Sequence, residues 1–71
     1  MYTANDPKWV QATSVKQTAM GYVTVTAYGE TFENCWTGKH YEFTDQEKSN
    51  VLVQNSRGDW LRVWFFDKDV S

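Results

Sequence analysis

The stretch NVLVQNSRGDWLRVWF, Asn50 to Phe65, decides the fold. Two apolar-rich runs flank a short polar turn, which is the pattern of a β-hairpin. Parity fixes its register. Val51 and Val53 share one face of the first run, and Leu61, Val63 and Phe65 share one face of the second. The two faces coincide only if paired residue numbers sum to an even value. A three-residue loop, Ser56-Arg57-Gly58, sets Asn55 opposite Asp59, Val53 opposite Leu61 and Val51 opposite Val63. A two-residue loop at Arg57-Gly58 would set Val53 opposite Arg62 and mix the faces. The three-residue loop needs a residue at positive φ at its end, and Gly58 stands there. The second face then carries Leu52, Gln54, Trp60, Arg62, Trp64 and Phe66, two of them tryptophans.

Composition bounds the rest. The 71 residues suffice for one small domain with a modest core. One cysteine, Cys35, forms no internal disulfide, and with one histidine, His40, the chain lacks a Cys/His zinc set. No cofactor is expected. Met1 leads into the polar run YTANDPK, without the basic start and apolar centre of a signal peptide, and no apolar run reaches the roughly 20 residues that span a bilayer. A reducing, cytoplasmic setting is therefore expected, with no membrane partner. The net charge of −2 argues against a general nucleic-acid binder. Aromatic residues make up 17% of the chain, more than the interior of a small barrel uses, so some must lie on a surface.

Along the chain, residues 1–5 read as loose. Asp6-Pro7 suits a helix start, with Asp6 as N-cap and Pro7 in the first turn. The following KWVQATSVKQTAM supports two readings, a short helix or an extended arm, because Thr13, Val15 and Thr18 favour strand. Gly21 ends it. YVTVTAY (22–28) alternates cleanly, with Val23, Val25 and Ala27 inward. GETFENCWTGK (29–39) reads as a long loop of the kind that often binds. HYEFT (40–44) reads as a strand with Tyr41 and Phe43 inward, and DQEKSN (45–50) as a polar turn before the hairpin.

Thr37, Gly38, Lys39, Tyr41 and Phe43, followed by Asn55, Gly58 and Asp59 in the hairpin turn, resemble the motif of small SH3-like β-barrels of bacteria and their phages. The likeness spans roughly residues 22–70; the aromatic density of WLRVWFF and the first twenty residues exceed it. It implies a mainly β fold: a small SH3-like barrel of four to five antiparallel strands, with a short N-terminal helix or arm. It divides the chain into an N-terminal segment, 1–20, and a barrel, 21–71. It also implies a binding role and brings no catalytic residues with it.

Two groups of side chains stand out as a partner site. Trp60, Arg62 and Trp64 form a row that can stack on an aromatic, arginine or proline side chain, or on a base. The alternative is that the N-terminal segment lies across this row, with Trp9 and Val10 as its contacts. Phe32 and Trp36 in the presumed loop, with Tyr28 and the acidic Glu30 and Glu33, would line a groove beside the hairpin for a basic or proline-containing segment. One of the two aromatics is expected to fold back on the core, and Trp36 is the better candidate for exposure. Arg57-Gly58-Asp59 spells an adhesion tripeptide, but the hairpin turn accounts for it. Cys35 and His40 lack the surroundings of a nucleophile pair. Glu42, Asp45, Glu47, Asp67 and Asp69 read as solvated turn carboxylates.

The leading expectation is a non-enzymatic protein-binding module, of a size that suits a phage-encoded protein docking on a host protein in the host cytoplasm and modulating or inhibiting it. The alternatives are a small barrel that binds single-stranded nucleic acid, with Lys39 and Arg57 joining the Trp60 row, and a homodimer or larger assembly paired through the aromatic strand.

Overall fold

The computed structural model describes residues 7–40 and 43–71. They form six strands: β1 (Lys8–Gln11), β2 (Ser14–Ala19), β3 (Tyr22–Ala27), β4 (Glu30–Trp36), β5 (Lys48–Gln54) and β6 (Trp60–Phe66), followed by a single 3-10 turn at Asp67–Asp69. The strands make two three-stranded sheets, ordered β1-β6-β5 and β2-β3-β4. The fold is mainly β, as expected, but the described strands form two sheets rather than a closed barrel.

The hairpin follows its parity. Val51 pairs with Val63 and Val53 with Leu61. Asn55 N–H donates to the Asp59 carbonyl at 2.9 Å, and Gly58 takes φ 90°. The Asn55 carboxamide oxygen accepts from the Arg57 and Asp59 amides, each at 2.9 Å, and so holds the three-residue loop. The adhesion-like tripeptide is thus the turn itself. Alternation continues on β3, where Val23, Val25 and Ala27 are fully buried. These residues, with Val15, Val51, Val53, Leu61, Val63 and Phe65, make the core between the sheets. Each fully buried valine contributes about 1.5–3 kcal/mol by leaving water.

Of the two readings for residues 7–20, the extended one describes the chain. Lys8–Gln11 and Ser14–Ala19 are strands, Pro7 lies outside any helix, and Asp6 is outside the described residues. The run serves both sheets. Ala12 N–H donates to the Trp64 carbonyl at 2.9 Å, while Thr13 N–H donates to Thr26 in the other sheet at 2.8 Å. β1 lies parallel to β6, so the all-antiparallel expectation is corrected for this pair. The C-terminus closes the free side of β2: Gln17 N–H donates to the Ser71 carbonyl at 2.9 Å.

The long loop expected at 29–39 is mostly strand β4. Two local features conceal it in the sequence. Tyr28 and Gly29 both take positive φ, 55° and 75°, between the pair Ala27 and Glu30. This is a two-residue turn whose twist suits a tight hairpin. Then Asn34, at φ 55°, lies where the β3–β4 register shifts. The extra residue turns both Phe32 and Cys35 toward the core, which strict alternation forbids for positions three apart. The strand expected at 40–44 is also corrected. Phe43 and Thr44 lie outside any strand, and Tyr41 and Glu42 are outside the described residues. Phe43 still faces the core, edge-on to Phe65 at 6.1 Å. The polar turn is shorter than expected, because Lys48, Ser49 and Asn50 already pair with β6.

A polar cluster ties the 37–47 connection to the end of β6. Thr37 N–H donates to the Gly21 carbonyl at 2.9 Å, and the Thr37 hydroxyl donates to the same oxygen at 2.9 Å. Lys39 Nζ sits 2.7 Å from Asp67 Oδ2 and 2.7 Å from Glu47 Oε1. Ser49 Oγ donates to Asp67 Oδ1 at 2.7 Å. The Thr37-Gly38-Lys39 motif therefore has a structural role here, joining the β2–β3 turn to the buried Asp67.

Candidate functional site: the outer face of the β1-β6-β5 sheet

Register and pleat define the site. β1 sets Trp9 beside Arg62 and Gln11 beside Trp64. β5 sets Lys48, Asn50, Leu52 and Gln54 beside Phe66, Trp64, Arg62 and Trp60. Since paired residues share a face, all ten side chains project away from the core. Residues 8–11 therefore extend the sheet beside the row rather than covering it. Val10 turns inward against the core, and Trp9 stays 62% exposed. Trp60, Leu52 and Phe66 are also exposed, while Arg62, Trp64 and Asn50 are half-buried.

Cations lie over the rings. The Arg62 guanidinium is 5.8 Å from the Trp9 ring centre, Lys48 Nζ 5.3 Å from that of Trp64, and Lys68 Nζ 5.8 Å from that of Phe66. Trp64 and Phe66 meet edge to face at 5.3 Å. Arg62 Nη1 donates to Asn50 Oδ1 at 3.2 Å, which fixes both side chains across the strands. Trp9, Lys48, Ser49, Asn50 and Trp64 line an open hollow of about 320 Å³. None of the ten face residues is acidic, although the chain as a whole carries nine acidic residues against seven basic ones.

The other sequence candidates lie on the second sheet. Trp36 ends β4, 45% exposed, with its ring 4.9 Å from Tyr22 and 5.6 Å from His40. Phe32 turns inward, Glu33 is exposed, and Tyr28 is exposed at the β3–β4 turn. Trp60, Arg62 and Trp64 thus form one group, and Trp36, Glu33, Phe32 and Tyr28 do not join it. Nor do the latter four converge, since Tyr28 and Trp36 sit at opposite ends of β4. Trp9, Lys48 and Asn50 were missed as members of the face. Trp9 becomes visible once 8–11 is read as a strand in register with β6, and Lys48 and Asn50 once β5 is extended backwards.

Of the remaining polar candidates, Cys35, Lys39, Glu47 and Asp67 are occupied structurally. Cys35 is half-buried, its thiol donating to the Phe32 carbonyl at 3.5 Å, and burial pushes its pKa up, away from a reactive thiolate. The Asp67 hydrogen bond, then that of Glu47, raises the Lys39 pKa. Among the described residues no three His, Cys, Asp or Glu side chains gather as a metal site, and no helix is long and apolar enough to cross a membrane.

No family model matches the chain, and no curated protein or solved structure matches it. The likeness to SH3-like barrels rests on the motif residues alone.

Proposed function

We propose that this chain is a non-enzymatic binding module that takes a single-stranded nucleic acid on the outer face of the β1-β6-β5 sheet. The observation that carries the reading is the make-up of that face: Trp9, Trp60, Trp64 and Phe66 as ring platforms, Lys48 and Arg62 as cations, and the amides of Gln11, Asn50 and Gln54, without a carboxylate. Bases stack on aromatic side chains whatever their sequence, and cations follow the backbone. The net charge of −2 opposed this reading at the level of composition. It loses force because none of the described acidic residues is among the ten residues of the face. A labelled mixed-sequence strand of about twelve nucleotides, followed by anisotropy, tests the proposal. Binding at about 50 mM salt that weakens steeply by about 200 mM is expected; no binding at the lower salt refutes it.

A second reading keeps the protein partner. Its support is the separate group of exposed side chains Met20, Tyr22 and Trp36 at the other sheet, of which Trp36 shares β4 with Glu30 and Glu33. That patch suits a basic or proline-containing segment of a host protein in the cytoplasm, as the resemblance to phage barrels implies. On either reading the fold is an opened SH3-like barrel, in which the 8–19 run feeds both sheets. The aromatic strand β6 lies between β1 and β5 and so is not the edge that pairing through it needs; a homodimer through β5, an edge strand among the described residues, is the third arrangement, and sedimentation of the isolated chain separates it from the other two.

A further inference from the structure

We propose that Lys48 and Lys68 are the phosphate ligands of the face, and that in the free chain they cap the Trp64–Phe66 ring pair until a phosphate draws them off. This rests on the nucleic-acid reading of the face and adds to it a phosphate site and an order of contacts. Three cations lie over rings of the face, and they are not held alike. The Arg62 guanidinium, over Trp9, is also tied to Asn50 Oδ1 at 3.2 Å. Lys48 and Lys68 form no ion pair among the described residues. Glu47, the neighbour of Lys48, is taken by Lys39 at 2.7 Å, and so is Asp67, the buried neighbour of Lys68. Asp69, on the other side of Lys68, forms no ion pair with it.

The register explains the caps. Lys48 stands opposite Phe66 and diagonal to Trp64, within reach of a long side chain. Its Nζ lies 5.3 Å from the Trp64 ring centre, and Lys68 Nζ lies 5.8 Å from that of Phe66. Trp64 and Phe66 themselves meet edge to face at 5.3 Å, so the two ammonium groups cover one continuous aromatic surface. Trp60, by contrast, has no cation over its ring among the described residues. An ammonium over an exposed ring is weakly held. A phosphate oxygen offers it a full opposite charge and a hydrogen-bond acceptor. The flexible four-carbon stem lets the ammonium turn from one to the other. At this end of the face the backbone of a strand is therefore met before its bases, and the same event frees ring surface for stacking.

The test follows the lysine side chains of the full chain in proton–carbon correlation spectra at low salt. Ring currents should hold the ε-methylene signals of Lys48 and Lys68 upfield of those of Lys8 and Lys16, which lie over no ring. An abasic deoxyribose-phosphate strand of about twelve units should return both signals to the ordinary lysine position and leave Lys8 and Lys16 in place. Both lysines are exposed, so Lys48→Met and Lys68→Met should keep the fold, checked by circular dichroism. Each should lower the slope of log affinity for oligo-dT against log salt by about 0.7. No binding of oligo-dT by the wild type overturns the nucleic-acid reading itself. Binding of oligo-dT with the Lys48 and Lys68 signals unmoved, or with both slopes unchanged, overturns the lysine site and spares the face. Ordinary lysine positions in the free chain overturn the caps. Polyglutamate that moves the two signals as far as the abasic strand does, at equal charge, overturns the phosphate assignment in favour of an acidic protein segment.

Discussion

Replacing Lys39 with methionine should destabilise the protein severely, because Asp67 depends on it. The Asp67 side chain is wholly buried and that of Lys39 is 13% exposed, with Nζ 2.7 Å from Oδ2. Ser49 serves the other oxygen, Oδ1. Methionine keeps most of the alkyl packing and removes the cation, so a carboxylate oxygen is left buried without a charged partner. Breaking a buried pair this way costs about 3–5 kcal/mol. A chain of this size has a total stability of roughly 4–11 kcal/mol, so the variant sits near its unfolding threshold. Thermal and urea unfolding by circular dichroism measure the loss; at about 4–8 °C per kcal/mol the midpoint falls by at least about 12 °C. The double variant Lys39→Met/Asp67→Leu should recover part of it, because two apolar partners leave no charge uncompensated. The raised Lys39 pKa has a definite sign: a cation favoured in the fold adds stability that is complete below the ordinary lysine range and is lost as pH rises through the folded value. Wild type should therefore lose stability on strongly alkaline titration faster than Lys39→Met. A loss under about 1 kcal/mol for the single variant, the size of an exposed surface pair, would refute the reasoning.

Other substitutions test the backbone and the site. Gly21 takes φ 80°, and a methyl group there runs into the Trp36 ring and the Lys39 carbonyl, so Gly21→Ala should cost about 2–4 kcal/mol and shift Trp36 emission, as unfolding curves and spectra would report. Asn34→Val should cost about 1–2 kcal/mol in the same assay because a β-branched residue resists φ 55°, whereas Asn34→Gly should be near neutral. Cys35 should react slowly with a thiol reagent at neutral pH and faster only as the chain is unfolded, since burial raises its pKa; labelling at the rate of a free thiol in the native state would contradict this. Trp9→Ala should leave the unfolding midpoint almost unchanged, because a side chain 62% exposed contributes little burial.

How much the sequence revealed depends on where strict alternation holds. Val51, Val53, Leu61, Val63 and Phe65 obey a period of two, and a glycine sits where the loop needs one, so the hairpin and its register follow from the letters. Val23, Val25 and Ala27 do the same for β3. β4 breaks the period at Asn34, which sends Phe32 and Cys35 to one face, and its opening turn uses Tyr28 at positive φ, a residue that gives little warning of it. β1 and β2 are short and carry few apolar residues, and the pairing of β1 depends on a distant partner, β6. No local pattern encodes that. The exposed Trp60-Arg62-Trp64 row was legible from parity. Its extension to Trp9 was not, because it requires the parallel pairing of β1 with β6, and its extension to Lys48 and Asn50 was missed because β5 begins earlier than the polar turn suggested. Among the described residues the face carries no carboxylate, which follows from the strand pairing and is invisible in a net charge.

Four tryptophan side chains provide a direct readout of which face binds. In a proton–nitrogen correlation spectrum of labelled protein, addition of oligo-dT at low salt should move the indole signals of Trp9, Trp60 and Trp64, with the amides of β1, β5 and β6. The Trp36 indole, on the other sheet, should stay in place. A spectrum in which Trp36 and Tyr22 move while the other three tryptophans do not, or in which nothing moves, would contradict the assignment of the outer β1-β6-β5 face as the site.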